Sequence, residues 1–139
     1  MKIIRSAELE FVPASHEDPE SPGVLKKVLL GKHDVIDGKV QMVNWALLPV
    51  GRSFEPHYHE DMEEVFIMIH GFARIAAGKA ECTIGPGDAV VIPVGAIHMM
   101  ENLGEEDVEY IAIGVSRGQH GRTVTVQLPS DSSSARDLP

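Results

Sequence analysis

His57, Tyr58 and His59 are followed by Glu64 and, much farther along the chain, by His98. Two histidines one residue apart on an extended segment point the same way, because side chains alternate faces along a strand. A carboxylate shortly after the next turn and a third imidazole from a distant strand can close the set around one divalent ion. Three nitrogens and one oxygen suit a borderline or first-row transition metal and leave positions free for water or substrate. The spacing therefore points to a metal site in a β-fold. Glu63 competes with Glu64 for the carboxylate position.

Such a site needs strands that turn back on one another, and the chain is punctuated for that. Strand signals run over Val24 to Leu30, Gln41 to Leu48, Val65 to Ile69, Phe72 to Ala77, Ala80 to Ile84, Ala89 to Ile92, Ile97 to Met100, Val108 to Val115 and Thr123 to Leu128. Asp37-Gly38 and Gly78-Lys79 read as hairpin turns, and Gly85-Pro86-Gly87, Pro93 and Gly95 break the later strands. Many short strands with such breaks predict a sandwich or barrel. Pro13 to Gly23, acidic and with three prolines, reads as a surface loop, and residues 129–139 as a disordered tail.

At 139 residues the chain makes one domain, expected over residues 1–128. A net charge of −9 argues against nucleic acid or an anionic membrane as partner, since both select basic patches. A small-molecule ligand fits better. No apolar run reaches the ~20 residues of a membrane span and no leader is visible at Met1 to Glu10, so a cytoplasmic location is expected. The single cysteine, Cys82, is read as a small buried apolar residue of a strand.

Gly51-x5-His57-x-His59-x4-Glu64-x6-Gly71 resembles the first motif of the cupin superfamily, and Gly87-x5-Pro93-x-Gly95-x2-His98-x3-Asn102 resembles the second. The resemblance covers residues 51–102 directly and implies an all-β, single-domain jelly-roll barrel of two antiparallel sheets. It implies that His57, His59, Glu64 and His98 are the ligands of one divalent transition metal per chain: Fe, Mn, Ni, Zn, Co or Cu. Glu64 is preferred over Glu63 because it keeps six residues before Gly71 and shares its face with Phe66 and Met68. Gly71 and Gly87 are expected at positive φ, Pro93-x-Gly95 as the turn that presents His98, and Asn102 as a loop brace.

Trp45, Phe66, Met68 and Met100 are candidate walls of an apolar substrate pocket, although such residues also simply fill small barrels. His70 has the inward parity of Glu64 but lies at the far end of its strand, which favours a structural role; His16, His33 and His120 fall in loops and carry no signal. A site of this type resembles those of dioxygenases, oxalate-degrading enzymes and some isomerases in the superfamily; for a dioxygenase, Glu64 is the fourth ligand and proton acceptor. A metal-dependent sugar or keto-acid isomerase and a non-catalytic small-ligand-binding module are the other two readings. Small cupins commonly pair, so a homodimer is expected, with Lys2 to Arg5 adding a strand to a neighbour's sheet.

Overall fold

A computed structural model describes residues 4–34, 39–116, 118 and 122–128. Among the described residues one 3-10 turn (Ser6–Glu8) is followed by strands alone: β1 (Val12–Pro13), β2 (Leu25–Gly31), β3 (Val40–Leu48), β4 (His57–His59), β5 (Met62–His70), β6 (Ala73–Ala77), β7 (Ala80–Ile84), β8 (Ala89–Ile92), β9 (His98–Glu101), β10 (Val108–Ser116) and β11 (Thr123–Thr125). They form two antiparallel sheets, one of six strands in the order β1-β2-β3-β10-β5-β8 and one of five in the order β11-β4-β9-β6-β7. This is the expected all-β barrel of two sheets.

The period-two pattern explains the closure. Buried and half-buried residues alternate along the whole of β10, and the buried set from both sheets forms one core around Leu48, Phe66, Met68, Met100 and Val108. β5 begins three residues earlier than its dense apolar run, so Glu64 lies within the strand, between Met62 and Phe66 on the inward face. The Gly78-Lys79 turn joins β6 to β7 with Ala77 opposite Ala80, as a two-residue hairpin should. Asp37-Gly38, Lys2, Ile3, His120 and residues 129–139 lie outside the described residues.

Several positions depart from the sequence reading. Cys82 is exposed, because β7 is the edge of its sheet and only Ile84 of its five residues is buried. His70 is exposed as well: the register between β5 and β10 shifts between Glu109 and Tyr110, and this bulge breaks the inward parity that Glu64 starts. Its Nδ1 meets the Asp107 carbonyl at 3.0 Å, a structural contact. The segment Pro13 to Gly23 is no simple surface loop. Ala14, Glu17 and Gly23 are buried, and Ala14 donates its N–H to the Val24 carbonyl. Ile4 and Arg5 are in no strand. Among the described residues no helix is long and apolar enough to cross a membrane.

Candidate metal centre

His57 and His59 point inward from β4, Glu64 from β5 and His98 from β9; all four are buried, with His57 and His98 each only 1% exposed. β4 and β9 pair through His57 and His98 themselves, which sets those two imidazoles side by side. Between β8 and β9 the chain turns at Pro93-Val94-Gly95-Ala96, with the Ala96 N–H donating to the Pro93 carbonyl and Gly95 at φ 76°. That left-handed φ is why glycine stands there. The Gly95 N–H also donates to the His59 carbonyl, so the turn that presents His98 is tied to the strand carrying the other two histidines. Gly71 and Gly87 take positive φ too, at 78° and 89°.

Asn102, wholly buried, braces the far end of β9. Its Nδ2 donates to the carbonyls of Leu48 (3.0 Å) and Glu106 (2.8 Å), and its Oδ1 accepts from the Gly104 N–H. It stands away from the imidazoles and serves the loop, as expected.

One donor atom from each of His57, His59, Glu64 and His98 lies within 4.8 Å of every other. Glu64 Oε2 is 2.9 Å from Nε2 of both His59 and His98 and 4.0 Å from that of His57. Glu63, its rival, is exposed. The opposite ring nitrogens are held from behind. His57 Nδ1 meets the Glu55 carbonyl at 2.7 Å, His98 Nδ1 the Ala96 carbonyl at 2.9 Å, and His59 Nδ1 the Thr123 hydroxyl at 3.0 Å. A carbonyl only accepts, so Nδ1 of His57 and His98 carries the proton; the unpartnered His57 Nε2 then turns a lone pair toward the cluster, while His98 Nε2 is in hydrogen-bond contact with Glu64 Oε2 at 2.9 Å. Such backing is the usual second support of a metal-bound imidazole.

Electron-rich atoms packed this closely repel unless something positive sits among them. Nε2 of both His57 and His59 is buried without a hydrogen-bond partner, which is costly for a polar atom. Donor separations of this size approach what one ion with bonds of ~2.0–2.2 Å requires. The residues fit a single metal ion. Burial, then the neighbouring His16 and His98, depress the His57 imidazole to about 3, so it stays neutral and able to donate its lone pair. Burial pushes the Glu64 carboxyl up, but the His59 and His98 imidazoles outweigh it and hold the group well below the ordinary carboxylate range.

Beside this cluster lies a cavity of about 310 Å³, lined by His57, His59, Glu64, Phe66, Asn44 and Lys26 among others. Of the four pocket candidates only Phe66 reaches it. Met68 and Met100 are 1% and 0% exposed and sit in the core. Trp45 projects from the other face of β3, between inward Asn44 and Ala46, and its indole N–H donates to Glu109 Oε1.

Two neighbours of the cluster carry no pattern in the sequence. His16 stacks on His57 with ring centroids 3.9 Å apart, and Phe54, 2% exposed, sets its ring against His57 and His98. Phe54 precedes β4 outside any strand period. The one available hint was its place three residues before His57.

The family model for the cupin domain matches residues 44–114. The chain belongs to the cupin family. The matched span carries all four residues of the cluster. Along most of its length this cupin is similar to an oxalate-binding protein of Thermotoga maritima, 26% identical over 80% of this chain and 91% of the other. It is also similar to the crystal structure of a predicted oxalate decarboxylase from Thermotoga maritima (TM-score 0.73, 26% identity, 83% of this chain and 99% of that one). A mannose-1-phosphate guanylyltransferase of Salmonella typhimurium is 31% identical over 60% of this cupin, which spans only 18% of that longer enzyme.

Proposed function

We propose that this cupin is a mononuclear metal enzyme acting on a small organic molecule, with dioxygenase-type chemistry. His57, His59, Glu64 and His98 hold the ion. The observation that supports this best is the pair of orphaned, buried Nε2 atoms converging on one carboxylate beside a cavity. A bound transition ion supplies Lewis acidity and, with a redox-active metal, electron transfer. The protein does the rest. Phe66 and Tyr110 form an apolar part of the cavity wall, their rings edge to face at 5.2 Å. Burial raises the Tyr110 phenol, which stays neutral. Glu64, a carboxylate lining the cavity, is the group placed to accept a proton from a bound ligand. Oxygen uptake by protein reconstituted with Fe, Mn, Ni or Cu, offered diketones, thiols and enediols, tests this reading. Turnover with any of them supports it; none with all four metals contradicts it.

A second reading is a binding protein without turnover. What favours it is the alignment with the oxalate-binding protein, which runs over 80% of this chain and 91% of the other. Tight ligand binding with no consumption of ligand or oxygen distinguishes it.

We also propose a homodimer, packed through the outer face of the six-stranded sheet. An antiparallel sheet facing water normally turns polar side chains outward. Here Trp45, Ile111 and Ile67 stand in one cross-strand row, and Val43, Ile113, Val65 and Val91 in the next. Val91 is 57% exposed. Six strands ~4.8 Å apart, averaging ~23 Å in length with β1 and β8 the short ones, offer roughly 650 Å², within the roughly 600–1,000 Å² that each partner buries in a stable pair. A second copy is the one occupant that brings an equal, equally apolar face.

A further inference from the structure

The cavity contains a cation to which metal binding gives no role. Lys26 stands on β2 opposite Val12 on one side and the inward-facing Ala46 on the other, and it lines the same cavity as His57, His59 and Glu64. Its Nζ donates to Ser15 Oγ at 3.0 Å. Among the described residues no carboxylate pairs with it. A half-buried ammonium whose one partner is a neutral hydroxyl is unusual in a chain with a net charge of −9.

We propose that Lys26 is a substrate-binding residue that grips the carboxylate of a small organic acid, whose other oxygens face the ion held by the four-residue cluster. This rests on the metal reading above. Charge is the first argument. The acids that come near Lys26 are committed elsewhere. Glu64 lies among three imidazoles, and Glu17 spends its oxygens on the N–H groups of Gly23 and Glu55 and on His16. A divalent ion beside Glu64, together with the Lys26 ammonium, leaves a net positive charge even when the buried Glu17 carboxylate is counted, and exposed Lys32, which also lines the cavity, adds to it. A mono- or dianionic ligand bridging the two cations cancels that excess, and a neutral one does not.

Shape and hydrogen bonding narrow the class. At about 310 Å³ the cavity is at the small end for ligand sites, so the acid has few carbons. Asn44, 4% exposed, lines the same wall; its Nδ2 donates to Met42 Sδ at 3.0 Å and its Oδ1 has no partner. A thioether sulfur only accepts, so the amide nitrogen faces Met42 and the oxygen is left over. An unpaired acceptor near a lysine suits an acid that also carries a hydroxyl or enol. Burial lowers the Lys26 ammonium, and the Glu64 charge opposes that in part.

The test is calorimetric titration of the metal-loaded protein with oxalate, malonate and 2-oxoglutarate, with neutral oxamide as control and metal content measured on every sample. At least one acid binds, and Lys26→Met and Lys26→Gln each weaken it about tenfold or more at unchanged metal content. Lys26→Arg stays within about threefold of the wild type, since the charge is kept. Oxamide binding, if any, is the same in all. Equal affinity for the acid in both neutral variants, or no acid binding below about 10 mM, overturns the proposal. A wild-type chain that takes up no ion contradicts the metal reading instead. The same titration of that chain and its Lys26 variants then judges the lysine by the same two results.

Discussion

His16 lies flat against His57, their rings 3.9 Å apart and only 24° from parallel. Glu17 fastens this arrangement. One of its oxygens accepts the Gly23 N–H and the other the Glu55 N–H, while the Glu55 carbonyl receives the Nδ1 proton of His57. The segment between β1 and β2 therefore supports the cluster from outside through one backbone unit. Glu17→Ala strands two backbone donors, a loss of about 1–3 kcal/mol, or several degrees in Tm at ~2–4 °C per kcal/mol. It also loosens His57, and metal affinity falls about tenfold, as for other second supports of a ligand. His16→Ala lowers affinity in the same direction. Thermal melts with metal titrations check both. Unchanged affinity in the two variants shows that the segment does not act on the site.

Acid destabilises the metal-free protein through His57. Its folded value, about 3, lies below the ordinary 6.5, so between those values the unfolded chain binds a proton that the folded chain does not. Stability therefore rises with pH across that window and is lost as pH falls from 6.5 toward 3, by at most about 1.4 kcal/mol per pH unit from this group. Denaturant unfolding from pH 7 to 4 should show a shallower slope in His57→Gln than in the wild type. Parallel slopes would assign the acid sensitivity to other groups.

The outer-sheet dimer is checked at Val91. Val91→Lys removes an apolar side chain from the proposed interface, and at an exposed edge position it changes monomer stability by no more than about 0.5 kcal/mol. Light scattering at micromolar concentration gives twice the chain mass for wild type and the single mass for the variant. A wild-type monomer at those concentrations rules the pairing out.

Strand parity made the convergence of the four buried side chains legible before any coordinates. His57 and His59 had to share a face, Glu64 had to point with Phe66, and His98 with Met100. Where parity failed, a local irregularity or an edge was responsible. A bulge opposite Glu109 turned His70 out, and the edge position of β7 exposed Cys82. Parity alone does not say which face of β3 is inward; buried Asn44 and Ala46 show that it is the face opposite Trp45. His16 and Phe54 escaped notice because segments without a period carry no facing information. His16 in addition reaches His57 from a distant part of the chain.

The carboxylate is decided by comparing two neutral variants. Glu64→Gln removes a charged donor from the buried cluster and lowers metal affinity by about two orders of magnitude or more. Glu63→Gln, on the exposed face of β5, leaves it unchanged. The reverse pattern would move the ligand to Glu63.

Elemental analysis of purified protein after incubation with Fe, Mn, Co, Ni, Cu or Zn tests the central claim most directly. The wild type should carry about one ion per chain, and His57→Ala and His98→Ala, each folded by circular dichroism, should lose most of it. Full occupancy in both variants, or none in the wild type with every metal, would contradict a shared ion among His57, His59, Glu64 and His98.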